Sequence, residues 1–243
     1  MDLENKVALV TGAGVRIGQS VAVKLGQLGM RVVIHYHHSE EGAKQTFQKL
    51  PGKKSKHLVL QSDLKELSAI KELVNKVEKQ AGPVSVLVNN AAEFFPTPLF
   101  STTEEEWDNL LALNLKAPFF LIQALGQNMK SSGEGKIINF VDVSAERPWK
   151  SFLPYCASKA ALISLTKGLA RALSPEVQVN GIAPGTVLSP PKHIEMDLTA
   201  SVENSLLKRI GNAEDIVQAV EYLLKSDFVT GTILPVDGGR SIY

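Results

Sequence analysis

The chain has 243 residues, of which 44% are hydrophobic and 21% charged, with 26 Lys+Arg against 25 Asp+Glu. That composition describes a single globular domain over residues 1–243, with enough apolar side chains to bury a large core. A net charge of +1 excludes nucleic-acid tracking by charge alone, and the lone cysteine, Cys156, excludes a disulfide framework or multi-thiolate zinc site.

Short runs rich in Val, Ile and Leu predict strands at 6–10, 31–36, 56–61, 84–89, 136–142, 178–182 and 232–236. Amphipathic stretches between them predict helices at 17–28, 41–50, 66–80, 104–130 (broken or kinked at Pro118), 157–173 and 213–224. Gly, Pro and Asn mark the joints. Strand–helix alternation implies a Rossmann-type, doubly wound parallel sheet of about seven strands in a three-layer α/β/α sandwich. Ligands of such folds bind beyond the carboxyl ends of the strands. Segments 101–115 and 198–207 read as packing or lid elements. No apolar run reaches the roughly 20 residues of a membrane span. The opening residues Met1-Asp2-Leu3-Glu4-Asn5-Lys6 lack a signal-peptide layout, so the expectation is a cytoplasmic protein without membrane contact.

The first strand runs into Thr11-Gly12-Ala13-Gly14-Val15-Arg16-Ile17-Gly18, which opens a helix. Gly12, Gly14 and Gly18 permit a tight turn and close backbone approach, so Arg16, Ile17 and the helix N-terminus can hold a pyrophosphate. A cation in a first helical turn opposes the helix dipole, and Arg16 makes better sense beside a phosphate than as a surface residue. The second strand ends Val33-Ile34-His35-Tyr36-His37-His38-Ser39, with no carboxylate before Glu40. His35, His38 and Ser39 therefore favour the 2′-phosphate of NADPH over the ribose hydroxyl of NADH. His35 and His37 share one strand face, but no third ligand of suitable spacing follows, so no metal is expected. Asp63, past the third strand, is an adenine-side acceptor or a turn cap.

Tyr155-Cys156-Ala157-Ser158-Lys159 starts a helix and places Tyr155 and Lys159 on one face. A phenol near pKa 10 transfers protons poorly at pH 7 until a nearby ammonium and a cationic nicotinamide stabilise its anion. Cys156 points about 100° away and reads as packing.

Thr11-Gly12 with Gly18, Asn89-Asn90-Ala91, Asn114, Tyr155 with Lys159, and Pro184-Gly185 together resemble the short-chain dehydrogenase/reductase family over essentially the whole chain. The resemblance implies hydride transfer with Tyr155 as proton donor. It also implies a water held by Asn114 that connects Lys159 to solvent, and cofactor contacts at Asn90, Ala91, Pro184 and Gly185. Arg16, the stretch Asn89-Asn90-Ala91-Ala92-Glu93-Phe94-Phe95-Pro96-Thr97-Pro98, and Asp142 thirteen residues before Tyr155 resemble the pteridine and dihydromonapterin reductases. The segment 176–184 and the ending Asp237-Gly238-Gly239-Arg240 resemble the dihydromonapterin enzymes most. In that group Phe94 would stack on the pterin. Ala92 and His38 depart from the pattern, standing where a serine and an arginine are expected.

Most relatives carry serine where this chain has Asp142. A serine hydroxyl donates to a carbonyl oxygen as charge develops there, whereas an ionised carboxylate repels it. A pterin ring nitrogen instead needs a proton, which Asp142 can relay directly or through water. Ser144 offers an alternative in which the serine has slipped by two residues and Asp142 caps the loop. Substrate contacts are assigned to Phe94, Arg16, Asp142 and Tyr155. The expected activity is NADPH-dependent reduction of a dihydropterin of the dihydromonapterin, dihydrobiopterin or dihydrofolate type. The alternatives are a 3-oxoacyl or ketone reductase and a non-catalytic NADP-binding regulator. The family resemblance further implies a homotetramer or dimer, with residues 240–243 near a neighbour's site. Trp149 and Arg147 stand as rim candidates.

Overall fold

A computed structural model describes residues 1–188 and 198–242. Seven parallel strands form one sheet in the order β3-β2-β1-β4-β5-β6-β7. They are β1 (Val7–Val10), β2 (Arg31–Tyr36), β3 (Leu58–Gln61), β4 (Val84–Asn89), β5 (Gly135–Phe140), β6 (Val177–Pro184) and β7 (Ile233–Val236). The expected doubly wound sandwich is what the chain adopts. Strands β1, β4 and β5 are buried along nearly their whole length, which is why their sequences read as unbroken apolar runs rather than alternating ones.

Helices cover both faces: α1 (Arg16–Gln27), α2 (Glu40–Lys49), α3 (Leu67–Ala81), α4 (Glu104–Leu111), α5 (Ala117–Ser131), α6 (Leu153–Leu173), α7 (Leu198–Glu203) and α8 (Ala213–Lys225). One core layer joins Val21, Leu25, Ile34, Val88, Ile138 and Val220. The opposite layer joins Leu9, Leu73, Leu87, Leu121, Leu125 and Val179. Because β2 and β4 flank β1, the chain winds outward in both directions from β1, and the crevice lies at the carboxyl ends of β1 and β4.

Three differences from the expected elements bear on function. The strand expected over 136–142 ends at Phe140, leaving Asp142 beyond it as the cap of a short 3₁₀ turn, Val143–Ala145. Helix α6 starts at Leu153 rather than 157, with Pro154 in its first turn, so Tyr155 and Lys159 both lie on it, as their spacing implied. The irregularity expected at Pro118 comes earlier, as a π-helical turn over Ala112–Lys116. The continuous helical segment Glu104–Ser131 is long and apolar enough to cross a membrane by length and composition alone. Its α5 portion packs against α3, β4 and β5 as part of the core.

Candidate active site

The loop after β1 is riveted to β4. Asn90 Nδ2 donates to the carbonyls of Thr11 (2.8 Å) and Gly12 (3.1 Å), while Thr11 Oγ1 accepts from the backbone of Asn90 and Ala91. Gly12 takes a φ of +64°, and a Cβ on Gly18 would stand 2.3 Å from the Gly12 carbonyl oxygen. Only glycine allows this helix to close on this turn. Arg16 opens α1 with a φ of +54°. Left-handed backbone at a non-glycine residue costs roughly 1–3 kcal/mol and concentrates at ligand clamps.

A cavity of about 340 Å³ follows from this turn, lined by Gly12, Gly14, Arg16, Ile17 and Gly18, then His38, Ser39, Asp63, Asn90 and Ala91. It tracks the carboxyl ends of β1, β2 and β4, as an extended dinucleotide requires. Glu40, the nearest carboxylate past β2, is drawn to Lys44 at 2.8 Å. Asp63 caps its own turn through the Lys65 amide and stands 3.8 Å from His37.

His35 also lines this cavity, from beneath the glycine turn. It is buried, its Nδ1 accepts from the Gly12 amide (3.2 Å), and its Nε2 faces the Ser62 carbonyl (3.0 Å). Burial lowers its pKa from 6.5 to about 4, so the ring is neutral and serves as the floor of the glycine turn. It holds the loop and lines the same cavity as His38 and Ser39. Among the described residues no three His, Cys, Asp or Glu side chains converge on a metal position.

A second cavity, about 700 Å³, adjoins the first. Phe94, Phe95, Asp142, Trp149, Tyr155, Lys159, Pro184 and Gly185 line it, with Arg16 and Asn90 shared. The Tyr155 hydroxyl donates to Asp142 Oδ2 at 2.9 Å, and Asp142 Oδ1 accepts from the Ser144 amide at 2.8 Å. Ser144 is itself fully buried and does not line the cavity. The acid therefore faces the cleft, and the serine two residues on does not. Lys159 lies one helical turn below, its Nζ donating to the Phe140 carbonyl (2.8 Å) and standing 5.7 Å from the Tyr155 ring centre.

Burial governs this triad. It lifts the Asp142 carboxyl above the usual range, against the pull of the Ser144 amide and hydroxyl, the Tyr155 hydroxyl and Lys159. It also lifts Tyr155 well above 10, helped by the Asp142 charge, and lowers Lys159 from 10.5 to about 8. The phenol is thus protonated at neutral pH, and the Asp142–Tyr155 pair stores a proton in the cleft.

Asn114 is fully buried inside the π turn. Its side-chain amide clamps the Glu93 backbone in both directions, at 2.9 and 3.0 Å. It fixes the segment that leads into Phe94, and π turns are frequent at functional sites. Phe94 lines this second cavity, with one face stacked on Phe152 (4.5 Å, 8°) and the Tyr155 and Trp149 rings set against it at steep angles. Phe152 carries no motif and escaped the sequence reading; its only signal was an aromatic three residues before the tyrosine. Cys156 is buried and accepts from the Trp149 amide, a packing role. The tail packs against its own chain. Arg240 lies over this same chain's Trp149, its guanidinium 5.4 Å from the ring. The positive φ of Gly238 and Gly239 turns the chain back after β7, and Asp237 caps that turn. Tyr243 lies outside the described residues.

Residues 6–197 match the family profile described as short chain dehydrogenase. The chain belongs to the short-chain dehydrogenase family. The 3-oxoacyl-(acyl-carrier-protein) reductase FabG of Staphylococcus epidermidis is 34% identical, over 97% of this chain and 98% of that protein. Gluconate 5-dehydrogenase of Gluconobacter oxydans is also 34% identical, over 97% and 94%. A blue fluorescent protein from a metagenomic library, solved in complex with NADPH, superposes with a TM-score of 0.91 at 33% identity, covering 99% of each chain. The protein is thus an oxidoreductase of this family, and the Tyr155–Lys159 pair stands where its fold opens into the substrate cavity.

Proposed function

We propose that this short-chain dehydrogenase is an NADPH-dependent reductase of a dihydropterin-type heterocycle, with dihydromonapterin, dihydrobiopterin and dihydrofolate as the candidate acceptors. The half-buried Asp142 carboxyl, facing the cleft and bonded to the Tyr155 hydroxyl, carries this reading. NADPH, when bound, supplies a hydride to a ring carbon. Gly12, Gly14 and Gly18 would admit its pyrophosphate, with His38, Ser39 and Arg16 toward its phosphates, and the NADPH complex of the 33% identical blue fluorescent protein supports that choice.

Tyr155 delivers the proton that the adjacent ring nitrogen gains, and Asp142 shares and replaces that proton. Lys159 holds positive charge beneath the phenol as its proton leaves. Phe94 lies beside the flat substrate, and Asn114 keeps the segment before it in place. An ionised Asp142 about 4 Å from a developing alkoxide would cost about 4 kcal/mol at an effective dielectric of 20, a penalty that a C=N acceptor avoids. Tyr155, Lys159 and Asn114 together support turnover over cofactor binding without catalysis. Membership of this family supports a homotetramer or dimer.

A second reading, reduction of a 3-oxoacyl or other ketone substrate, is supported by the curated relatives, which are named for carbonyl chemistry. It requires Asp142 to be protonated, in the direction burial drives it. NADPH oxidation measured side by side with 7,8-dihydromonapterin, dihydrobiopterin, dihydrofolate and a β-ketoester decides between them. Turnover of the β-ketoester with none of the pterins would overturn the first reading.

A further inference from the structure

Trp149 has a cavity on each side. One is the substrate cavity. The other, about 610 Å³, is lined by Val143, Glu146, Arg147, Trp149, Asn204 and Arg240, with Pro148 and Ser241 at its edge. Two of its walls carry guanidinium groups. Arg240 is half-buried against the indole and donates from Nη1 to Thr186 Oγ1, and Thr186 also borders the substrate cavity. Arg147 Nη1 in turn donates to the Arg240 carbonyl at 3.2 Å, which ties the two arginine-bearing segments together. A guanidinium carries five donors, and among the described residues that of Arg240 meets only the Thr186 hydroxyl. Asp142 and Asp237 act on Arg240 through charge alone, partly offsetting the cost of its burial. Among the described residues Glu146 is the one carboxylate in the cavity lining, and it is exposed.

A half-buried cation with unspent donors, beside a cavity that a single indole separates from the reacting groups, is suited to an anionic oxygen group. We propose that the cavity behind Trp149 is a subsite for the anionic arm of an extended substrate, its carboxylate or phosphate held by Arg240 and Arg147 while the reducible ring lies in the adjoining cavity beside Phe94 and Tyr155. This goes beyond the reductase reading and rests on it only for the identity of the ring. Nothing in the subsite itself chooses between a heterocycle and a ketone.

The test has two arms, both on the NADPH-loaded enzyme. In the first, kcat/KM is compared for dihydrofolate, which bears carboxylates, and dihydrobiopterin, which bears none. Arg240→Ala and Arg147→Ala are each expected to lower the dihydrofolate-to-dihydrobiopterin ratio by about tenfold or more, the loss of a charge-assisted contact. The ratio is the readout because Arg240 also faces Asp142, so its removal can move both rates together. A ratio unchanged in both variants would overturn the subsite.

The second arm needs no turnover and so separates failure of the subsite from failure of the reductase reading. Binding of p-aminobenzoylglutamate and of 4′-phosphopantetheine is followed by quenching of Trp149 emission, in a Trp107→Phe background. Saturable quenching that weakens with salt and is lost in Arg240→Ala supports the proposal, and the better ligand distinguishes carboxylate from phosphate. Quenching by neither fragment, or quenching indifferent to Arg240, overturns it.

Discussion

Replacing Asp142 with serine tests whether a carboxyl group sets the acceptor. Asp142 Oδ2 lies 2.9 Å from the Tyr155 hydroxyl, so a carbonyl oxygen accepting from that hydroxyl comes within about 4 Å of the carboxylate. At an effective dielectric of 20 the repulsion of a full alkoxide there is about 4 kcal/mol, or roughly three decades in rate. Partial charge in the transition state and partial protonation of Asp142 both reduce this, leaving an expected gain of roughly 10–100-fold in ketone kcat/KM for Asp142→Ser. Dihydropterin kcat should fall by about 100-fold or more, the usual worth of a positioned general acid. The assay is NADPH oxidation with a β-ketoester and dihydromonapterin, with thermal melting and the NADPH dissociation constant confirming an intact fold. Dihydropterin turnover within about threefold of the parent enzyme would refute the role given to the acid, since even weak general acids contribute more. Ketone activity that falls alongside it would refute the repulsion.

Lys159→Met should abolish turnover and stabilise the protein. Lowering Lys159 from 10.5 to about 8 makes the unfolded chain bind more protons between those values, so stability rises with pH across that window and the buried charge costs about 3 kcal/mol below it. Urea melts at pH 7 should place the variant above the parent. The parent's kcat/KM should decline as pH rises through about 8. His35 runs in the acid range, where its pKa of about 4 against 6.5 means stability is lost as pH falls from 6.5 to 4, by about 3 kcal/mol in all. His35→Phe should flatten that profile in pH-dependent urea melts and weaken NADPH binding by removing the acceptor of the Gly12 amide. Arg16→Gly should relieve the left-handed strain at φ +54°, raising the melting temperature of the cofactor-free protein while weakening NADPH binding about tenfold or more. A melting temperature that falls would show that the Arg16 backbone is not strained.

The sheet was legible because strands buried on both faces must be apolar throughout, and β1, β4 and β5 are. Their ends were less so. Gly135 joins β5 through pairing with β6, and Asp142 leaves it because its carboxyl caps the next turn. The cofactor turn and the Tyr155–Lys159 spacing are local and could be read directly. What stayed hidden depends on distant partners. The π turn at Asn114 exists alongside a clamp on the Glu93 backbone, twenty-one positions away in sequence. The stacking of Phe94 on Phe152 and of Arg240 on Trp149 joins loops with no motif in common. The partners of His35 were hidden for a related reason: strand alternation gives a side chain's face, but only the fold puts the Gly12 amide and Ser62 carbonyl on either side of it.

Buried polar groups occur elsewhere in this chain, and comparing them shows what sets the cleft apart. Lys136 is nearly as buried as Lys159, yet its ammonium reaches the Leu223 and Ser226 carbonyls and the Asp227 carboxylate. His57 is enclosed between the Val32 amide and the Pro51 carbonyl, so both ring nitrogens are satisfied. These groups tie structure together at low cost. Lys159 has one carbonyl, Tyr155 one carboxyl, and Asp142 is pushed toward its neutral form while facing open space. Their charged forms are left under-solvated by the fold, and the cavity beside them is where a cationic ring and a proton-accepting substrate would complete the balance. Selection for stability alone would replace Lys159 with an apolar residue. Its presence below Tyr155 is therefore better explained by proton transfer than by packing.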